Sequence, residues 1–161
     1  MRIAVCPGSF DPVTRGHLDI FERSAQMFDE LIVAVFHNPG KRPAFSMEER
    51  VQMLREATKH IPNVKVDCFS GLLNEYVRNC NTTIIVRGLR ALSDFEYEFQ
   101  RALLIKYVDP EIETVFIMTR SEFSFVSSSG IKELARFGGS IRGLVPDSLE
   151  EQIILRLNDR A

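Results

Sequence analysis

The turn after the first apolar run of the chain carries residues suited to phosphate chemistry. Residues 2–7 form a short β-type run, and Gly8-Ser9 and then Thr14-Arg15-Gly16-His17 follow it. Gly16 lets the backbone approach a ligand closely, and His17 lies in the first turn of a predicted helix, near the positive end of its dipole. Free backbone N–H groups at a strand-to-helix turn bind anions. This segment therefore favours a phosphate ligand.

Basic residues follow two other predicted strands. Lys41 and Arg42 lie in a loop with proline and glycine after the second strand, and Arg87 and Arg90 come after the fourth. Ligands bind outside the carboxyl ends of parallel strands, so we expect these segments to meet the first turn in one basic crevice. It would be an anion site on a chain whose formal net charge is −2.

Each of these residues also has an ordinary structural explanation. His17 could simply cap or pack its helix, and the cationic residues could be solvated surface side chains. Glu98 could pair with Arg101, three residues further along a helix. The serines at 127–129 could form only an N-cap cluster, and Leu73 could simply belong to the core.

Composition and motif searches exclude several classes of protein. The 161 residues contain no GxxxxGK(S/T), GxGxxG or GxSxG sequence and no carboxylate cluster at a metal-ligand spacing, which excludes a P-loop NTPase and the dinucleotide fingerprint. Lys and Arg number 20 against 22 Asp and Glu, so a nucleic-acid partner is disfavoured. No apolar run approaches the ~20 residues that span a bilayer, so we expect no membrane partner. Three cysteines without CxxC spacing argue against a disulfide framework or zinc site and for a cytoplasmic location.

Strand and helix patterns alternate along the chain and supply the elements that must position these residues. Continuous apolar runs such as 31–36 are typical of strands buried on both faces of a parallel sheet. Ser46 with Glu49 predicts a capping box at the start of one helix. We predict a single α/β domain over residues 1–161, a doubly wound five-stranded parallel sheet with C-terminal helices. The predicted strands are 2–7, 31–36, 64–69, 82–86 and 114–118, and the helices 16–28, 46–59, 70–79, 93–108, 129–137 and one from Pro146.

Five motifs, taken in order, resemble those of the bacterial phosphopantetheine adenylyltransferases of the nucleotidyltransferase superfamily. They are PGSFDP at 7–12, TRGH at 14–17, RGLR at 87–90, DFEYE at 94–98 and VSSS at 126–129. The resemblance covers residues 2 to about 147. It implies a Rossmann-like nucleotidyltransferase that moves the adenylyl group of ATP onto 4′-phosphopantetheine, giving dephospho-coenzyme A and pyrophosphate. It also implies Mg²⁺ as cofactor, a cytoplasmic homohexamer, and coenzyme A as a possible feedback ligand.

The resemblance further implies roles for individual residues. His17 would contact the α-phosphate and stabilise the transition state, with Lys41 and Arg90 as further catalytic residues. Mg²⁺ would be held by phosphates and water, so no protein ligand is assigned to it. The acceptor would be bound by Ser9, Lys41, Leu73 and Arg87. ATP would be bound by Ser9, Phe10, His17, Gly88, Leu89, Arg90, Glu98, Phe123, Ser124, Phe125, Val126, Ser127, Ser128 and Ser129.

Such a reaction requires no nucleophile and no strong general base from the protein. A phosphate monoester is already an anionic nucleophile at neutral pH, so positioning and charge stabilisation around an in-line displacement would suffice. Two other hypotheses stay open on the residues alone. One is an adenylyl- or cytidylyltransferase that uses another phosphate, such as nicotinate mononucleotide. The other is a non-catalytic nucleotide-binding module of flavodoxin-like shape.

Overall fold

A computed structural model describes residues 1–158 as a five-stranded parallel sheet with helices on both faces. The strands are β1 (Ile3–Gly8), β2 (Glu30–Phe36), β3 (Val64–Phe69), β4 (Ile84–Leu89) and β5 (Glu113–Met118). The helices are α1 (Arg15–Ala25), α2 (Met47–Thr58), α3 (Leu73–Asn79), α4 (Leu92–Val108), α5 (Ser128–Arg136) and α6 (Glu150–Leu157). Short 3₁₀ turns lie at Ser121–Phe123 and Asp147–Leu149.

The order of the strands is β3-β2-β1-β4-β5, so the direction of winding reverses between β1 and β4. This is the doubly wound arrangement that the sequence predicts. β1 pairs with β2 along its whole length, but its pairing with β4 is confined to Val5 opposite Ile85. In folds of this kind ligands bind at the carboxyl ends of the strands beside the reversal. A ligand-binding site is therefore expected at the carboxyl ends of β1 and β4.

Two apolar layers hold the sheet between the helices. Successive side chains of a strand point to opposite faces, and β2 contributes Leu31, Val33 and Val35 to one layer and Ile32 and Ala34 to the other. All five are buried. The first layer packs under α1, α2, α5 and α6, and the second under α3 and α4. This explains why β2 is continuously apolar from Leu31 to Phe36 rather than at alternate positions.

Several predicted boundaries differ from the observed ones. α3 begins at Leu73 rather than residue 70, because Gly71 takes a left-handed φ of +95° that interrupts the chain before it. β4 extends to Leu89, so Arg87 lies within the strand and not after it. The last helix begins at Glu150, after the 3₁₀ turn that follows Pro146. The end of the predicted domain at residue 161 lies outside the described residues.

No helix within residues 1–158 is long and apolar enough to cross a membrane.

Candidate active site

A cavity of about 350 Å³ opens at the carboxyl ends of β1 and β4. It lies where the strand order reverses, as expected for this fold. Six segments surround it: the end of β1 with its turn, the first turns of α1, the end of β4, the first half of α4, the residue after β5, and the start of α5. The lining residues are Cys6, Pro7, Gly8, Ser9, Phe10, Thr14, Gly16, His17, Ile20, Phe21, Arg87, Gly88, Arg90, Asp94, Tyr97, Glu98, Thr119, Val126, Ser127, Ser128 and Ser129.

Two reciprocal hydrogen bonds fix His17 at the start of α1. The backbone N–H of His17 donates to Thr14 Oγ1 over 3.2 Å, and the backbone N–H of Thr14 donates to His17 Nδ1 over 3.0 Å. This is a capping box in which histidine takes the place that Glu or Gln usually holds. Since Nδ1 accepts a hydrogen bond from the Thr14 N–H, it carries no proton itself. The proton of the neutral ring is on Nε2, which leaves one N–H donor for a ligand.

Burial keeps the His17 ring neutral. Desolvation of the half-buried ring, together with the nearby guanidinium groups of Arg90 and Arg87, lowers the pKa of His17 from 6.5 to about 4. At neutral pH the side chain is therefore a hydrogen-bond donor without charge. It is not placed to act as a cation or as a base through Nδ1.

Phe10 builds the wall behind His17. Its ring meets the imidazole edge to face, with centroids 5.0 Å apart, and it also packs against Phe21. Phe10 has a left-handed φ of 45°, and its ring occupies the space that a side chain at residue 8 would need: a Cβ there would lie 2.7 Å from Phe10 Cζ. Gly8 is therefore required by the packing of this turn.

Arg87 projects from β4 and is held by three hydrogen bonds. It donates to both carboxylate oxygens of Glu98 over 2.8 and 2.6 Å and to the Pro7 carbonyl over 2.6 Å. A guanidinium group has five N–H donors, so two remain for a ligand in the cavity. The predicted alternative that Glu98 pairs with Arg101 is wrong, because Glu98 turns inward to Arg87 while Arg101 donates to Tyr97 Oη.

Arg90 joins the start of α4 to the segment before α5. It donates to the Asp94 carboxylate over 3.0 and 3.3 Å and to the Val126 carbonyl over 3.0 Å. At the start of α5, Ser127 accepts from the Gly130 N–H over 3.0 Å, and Ser128 Oγ donates to the Pro12 carbonyl over 2.7 Å. These bonds aim the positive end of α5 at the cavity, where an anion would be favoured.

The structure gathers many of the predicted site residues but not all of them. Ser9, Phe10, His17, Arg87, Gly88, Arg90 and Glu98 line the cavity, as does the run Val126, Ser127, Ser128 and Ser129. Four predicted ATP-binding residues, Leu89, Phe123, Ser124 and Phe125, are not part of that lining. None of the predicted roles is tested by this placement, so all of them stay predictions.

Two of the four predicted acceptor-binding residues, Lys41 and Leu73, are not part of the lining of the main cavity. The expected meeting of Lys41 and Arg42 with the other basic segments does not occur: both side chains are exposed. A local turn carries them outward, because the Gly40 N–H donates to Asn38 Oδ1 and the Lys41 N–H to the Asn38 carbonyl. Leu73 lines a second, smaller cavity, which shares Arg87 and Glu98 with the first.

Several lining residues, among them Thr119, Asp94, Tyr97 and Cys6, were given no individual role by the sequence. Thr119 follows β5 directly, so the rule that ligands meet strand ends could have identified it. Asp94 and Tyr97 lie within the DFEYE motif on the face of α4 that Glu98 shares. Cys6 gave no signal. Its burial raises the pKa of the thiol to about 12, so it stays protonated and is no nucleophile.

Among residues 1–158 no group of three or more His, Cys, Asp or Glu side chains is arranged to hold a metal ion. The two carboxylates that line the cavity, those of Asp94 and Glu98, are each bonded to an arginine.

Comparison with known proteins identifies the family of this fold and site. The sequence model of the family described as Cytidylyltransferase-like matches residues 5–134. A phosphopantetheine adenylyltransferase of Caldanaerobacter subterraneus subsp. tengcongensis is 54% identical over 154 residues, which cover 96% of each chain. The enzymes of that name from Carboxydothermus hydrogenoformans and Dictyoglomus turgidum are 56% and 57% identical over 150 residues, with 93% of this chain covered in both cases and 93% and 94% of theirs.

The chain belongs to the phosphopantetheine adenylyltransferase family. The resemblance carried by the five sequence motifs is thereby confirmed, and so is the nucleotidyltransferase fold class. A solved structure from Vibrio parahaemolyticus, described as a candidate nicotinate-nucleotide adenylyltransferase, superposes with a TM-score of 0.68 at 16% identity. It covers 96% of this chain and 99% of its own. At that identity the likeness concerns the fold alone.

Proposed function

We propose that this chain transfers the adenylyl group of ATP to 4′-phosphopantetheine, with dephospho-coenzyme A and pyrophosphate as products. One observation carries the proposal beyond the family name: the neutral His17, with Nδ1 occupied by Thr14, in a cavity that two arginines and the start of α5 also line. This arrangement supplies donors for several phosphate groups, and in it neither His17 nor Cys6 can serve as a charged nucleophile.

The reaction is an in-line displacement at the α-phosphorus. A phosphate oxygen of the acceptor attacks, the bond to the bridging oxygen of pyrophosphate breaks, and no covalent intermediate with the protein forms. His17 Nε2–H donates to an α-phosphate oxygen, whose charge and geometry change as the new bond forms. A donor that is already in place costs no reorganisation at that moment.

Fixed cations must overcome the repulsion between two anionic substrates. Arg90 and the start of α5 would bind the triphosphate, and the two N–H donors that Arg87 has left would bind the acceptor phosphate. Arginine suits this role because its planar guanidinium group stays charged and binds phosphate through paired hydrogen bonds. Glu98 orients the Arg87 guanidinium through two hydrogen bonds and neutralises part of its charge.

Mg²⁺ is proposed as the cofactor that accompanies the triphosphate. The cavity carboxylates of Asp94 and Glu98 are engaged with arginines, so phosphate oxygens and water would supply most of the ligands, as is usual for this ion. When bound, it would neutralise triphosphate charge. The cytoplasmic location and the feedback by coenzyme A remain proposals of the same kind.

A homohexamer is also proposed, and the surface of α4 supports association between copies of the chain. None of the 17 residues of α4 is buried, although the helix is rich in large apolar side chains. Contiguous exposed apolar surface of this kind marks an interaction site. The exposed members are Leu92, Phe95, Tyr97, Phe99, Leu103, Leu104, Tyr107 and Val108.

Pyrophosphate release from ATP tests the proposed function. The purified protein is assayed with Mg²⁺ and, in separate reactions, with 4′-phosphopantetheine, nicotinate mononucleotide or glycerol phosphate. We expect pyrophosphate to be released only in the reaction that contains 4′-phosphopantetheine. Turnover of nicotinate mononucleotide in its place would assign a different acceptor, and ATP binding without release under any condition would indicate a binding module.

A further inference from the structure

Asp11 belongs to the PGSFDP motif but has no part in the reaction described above. It lies in the turn between β1 and α1 and is 6% exposed. Its carboxylate accepts the backbone N–H groups of Ala44 and Phe45, each over 2.9 Å, and Lys132 Nζ lies 3.2 Å from Oδ2. Burying a carboxylate is costly unless hydrogen bonds and a counter-charge compensate it. The three partners therefore hold the Asp11 carboxylate in place, and the carboxylate in turn holds Ala44, Phe45 and Lys132.

One pair of these bonds anchors the loop that carries Lys41. We call residues 37–45 the Lys41 loop. At its start the His37 N–H donates to the Phe69 carbonyl over 3.0 Å, and at its end Ala44 and Phe45 donate to Asp11. The exposed Lys41 lies between these two attachments. Its distance from the cavity is therefore set partly by a residue of the phosphate-binding turn itself.

The third bond of Asp11 reaches a different element, α5. Lys132 lies on α5, whose first residues line the cavity. Ser128 Oγ also donates to the carbonyl of Pro12, the neighbour of Asp11. The turn between β1 and α1 thus holds the start of α5 by two separate contacts, and the Lys41 loop by two others.

We propose that Asp11 is a positioning residue for adenylyl transfer, which holds the Lys41 loop on the acceptor side and α5 on the nucleotide side around the turn that precedes His17. This rests on the proposed function, because Lys41 matters to catalysis only if the acceptor phosphate comes to it. Misplacing a substrate by about 1 Å can cost on the order of 100-fold in rate, so a residue that sets both distances has a measurable effect without contacting either substrate.

Two variants separate the two sides. Asp11→Asn has nearly the same shape, but its amide nitrogen cannot accept, so one N–H of the Lys41 loop loses its acceptor and Lys132 loses its counter-charge. Lys132→Met removes only the contact to α5. We expect Asp11→Asn to raise the KM for phosphopantetheine roughly tenfold and the KM for ATP several-fold, and Lys132→Met to raise only the KM for ATP.

Asp29→Asn is the matched control, since Asp29 also accepts a backbone N–H, that of Arg2, but at the opposite end of β1. It should leave both KM values unchanged. A second readout follows the loop itself: trypsin should cut the Lys41–Arg42 bond faster in Asp11→Asn than in the wild type, with other sites cleaved at the wild-type rate.

The outcomes distinguish this proposal from the proposed function. A wild-type protein that releases no pyrophosphate overturns the function. With an active wild type, an unchanged KM for phosphopantetheine and unchanged cleavage after Lys41 in Asp11→Asn overturn the positioning role alone. If Asp11→Asn does not fold, Lys132→Met decides: an unchanged KM for ATP, or an equal rise in both KM values, contradicts the proposal.

Discussion

The imidazole of His17 offers the cavity one donor, because the Thr14 N–H occupies its other nitrogen. Its hydrogen bond to the α-phosphate should strengthen in the transition state, so His17→Ala should lower kcat by about 10²–10³-fold with little change in ATP binding. His17→Gln retains a donor and should recover part of the rate, whereas His17→Leu should not. Steady-state kinetics and ATP calorimetry measure both quantities.

A matched control for these variants is His60→Ala, because His60 pairs with Glu22 on the surface, away from the cavity. It should be as active as the wild type. Near-normal kcat in His17→Ala would show that the ring serves only to cap α1. Equal losses in the Gln and Leu variants would point to proton transfer by His17 instead of hydrogen bonding.

The depressed pKa of His17 also makes stability depend on pH. Between pH 6.5 and about 4 the unfolded chain binds a proton at this residue and the folded chain does not. The free energy of unfolding should therefore fall as the pH falls through this window, by up to about 1.4 kcal/mol per pH unit. Urea titrations of the wild type and His17→Gln at fixed protein concentration should diverge accordingly. A constant difference between them from pH 7 to 4.5 would contradict the burial of a neutral ring.

At this scale the sequence predicted residue identities better than residue partners. The rule that ligands meet strand ends placed Ser9, His17 and Arg90 correctly at the cavity. It could not show that Arg87 bonds to Glu98, because that contact depends on how α4 packs against β4. It also could not show that a turn at Asn38 carries Lys41 outward, since a short loop of Pro and Gly fits several conformations.

Among the elements, the start of α2 is built to hold the phosphate-binding turn in place. Ser46 caps the helix and shares a capping box with Glu49, which confirms the sequence prediction. The buried Arg50 donates to the carbonyls of Ser46 and Ser9 over 3.3 and 3.0 Å. The cap of one helix is therefore connected through a single side chain to the end of β1.

Removal of the cap at Ser46 gives an element-scale prediction. Ser46→Ala should lower the free energy of unfolding by about 1 kcal/mol, because the Glu49 N–H loses its side-chain acceptor. Urea denaturation at fixed protein concentration measures the change. Ser148→Ala, at an exposed serine in the turn before α6, is the control and should be neutral. A loss of equal size in both variants would mean that the Ser46 hydroxyl does not stabilise α2.

Element boundaries were predictable where capping residues mark them and less so elsewhere. Ser46 and Ser127 mark the starts of α2 and α5, because the hydroxyl group of each caps its helix. α3 and α4 have no side-chain cap at their first turns, so periodicity alone had to locate them. The misplaced start of α3 follows from Gly71, whose left-handed backbone the periodicity of the side chains does not reveal.

At the scale of the whole molecule, the alternation of strands and helices was sufficient to predict the doubly wound sheet. The surface of α4 was not predictable, because a pattern rich in Phe and Leu is typical of a helix that packs into a core. The structure instead leaves this helix without a buried residue. Its apolar side chains thus provide for contacts that a single copy of the chain cannot supply.

The α4 surface gives the last prediction, which concerns assembly. If copies of the chain associate through it, a carboxylate placed there would be buried without a partner, and an unpaired charge in an interface is strongly unfavourable. Leu104→Glu should therefore dissociate the assembly, since Leu104 is 66% exposed in the isolated chain. Light scattering should show a mass near six times 18.4 kDa for the wild type and a smaller mass for the variant.

Leu155→Glu on α6 is the matched control for this prediction, because Leu155 is 68% exposed on a different helix. Dissociation by the Leu155 variant and not by the Leu104 variant would move the interface from α4 to α6, and a monomeric wild type would rule out the hexamer.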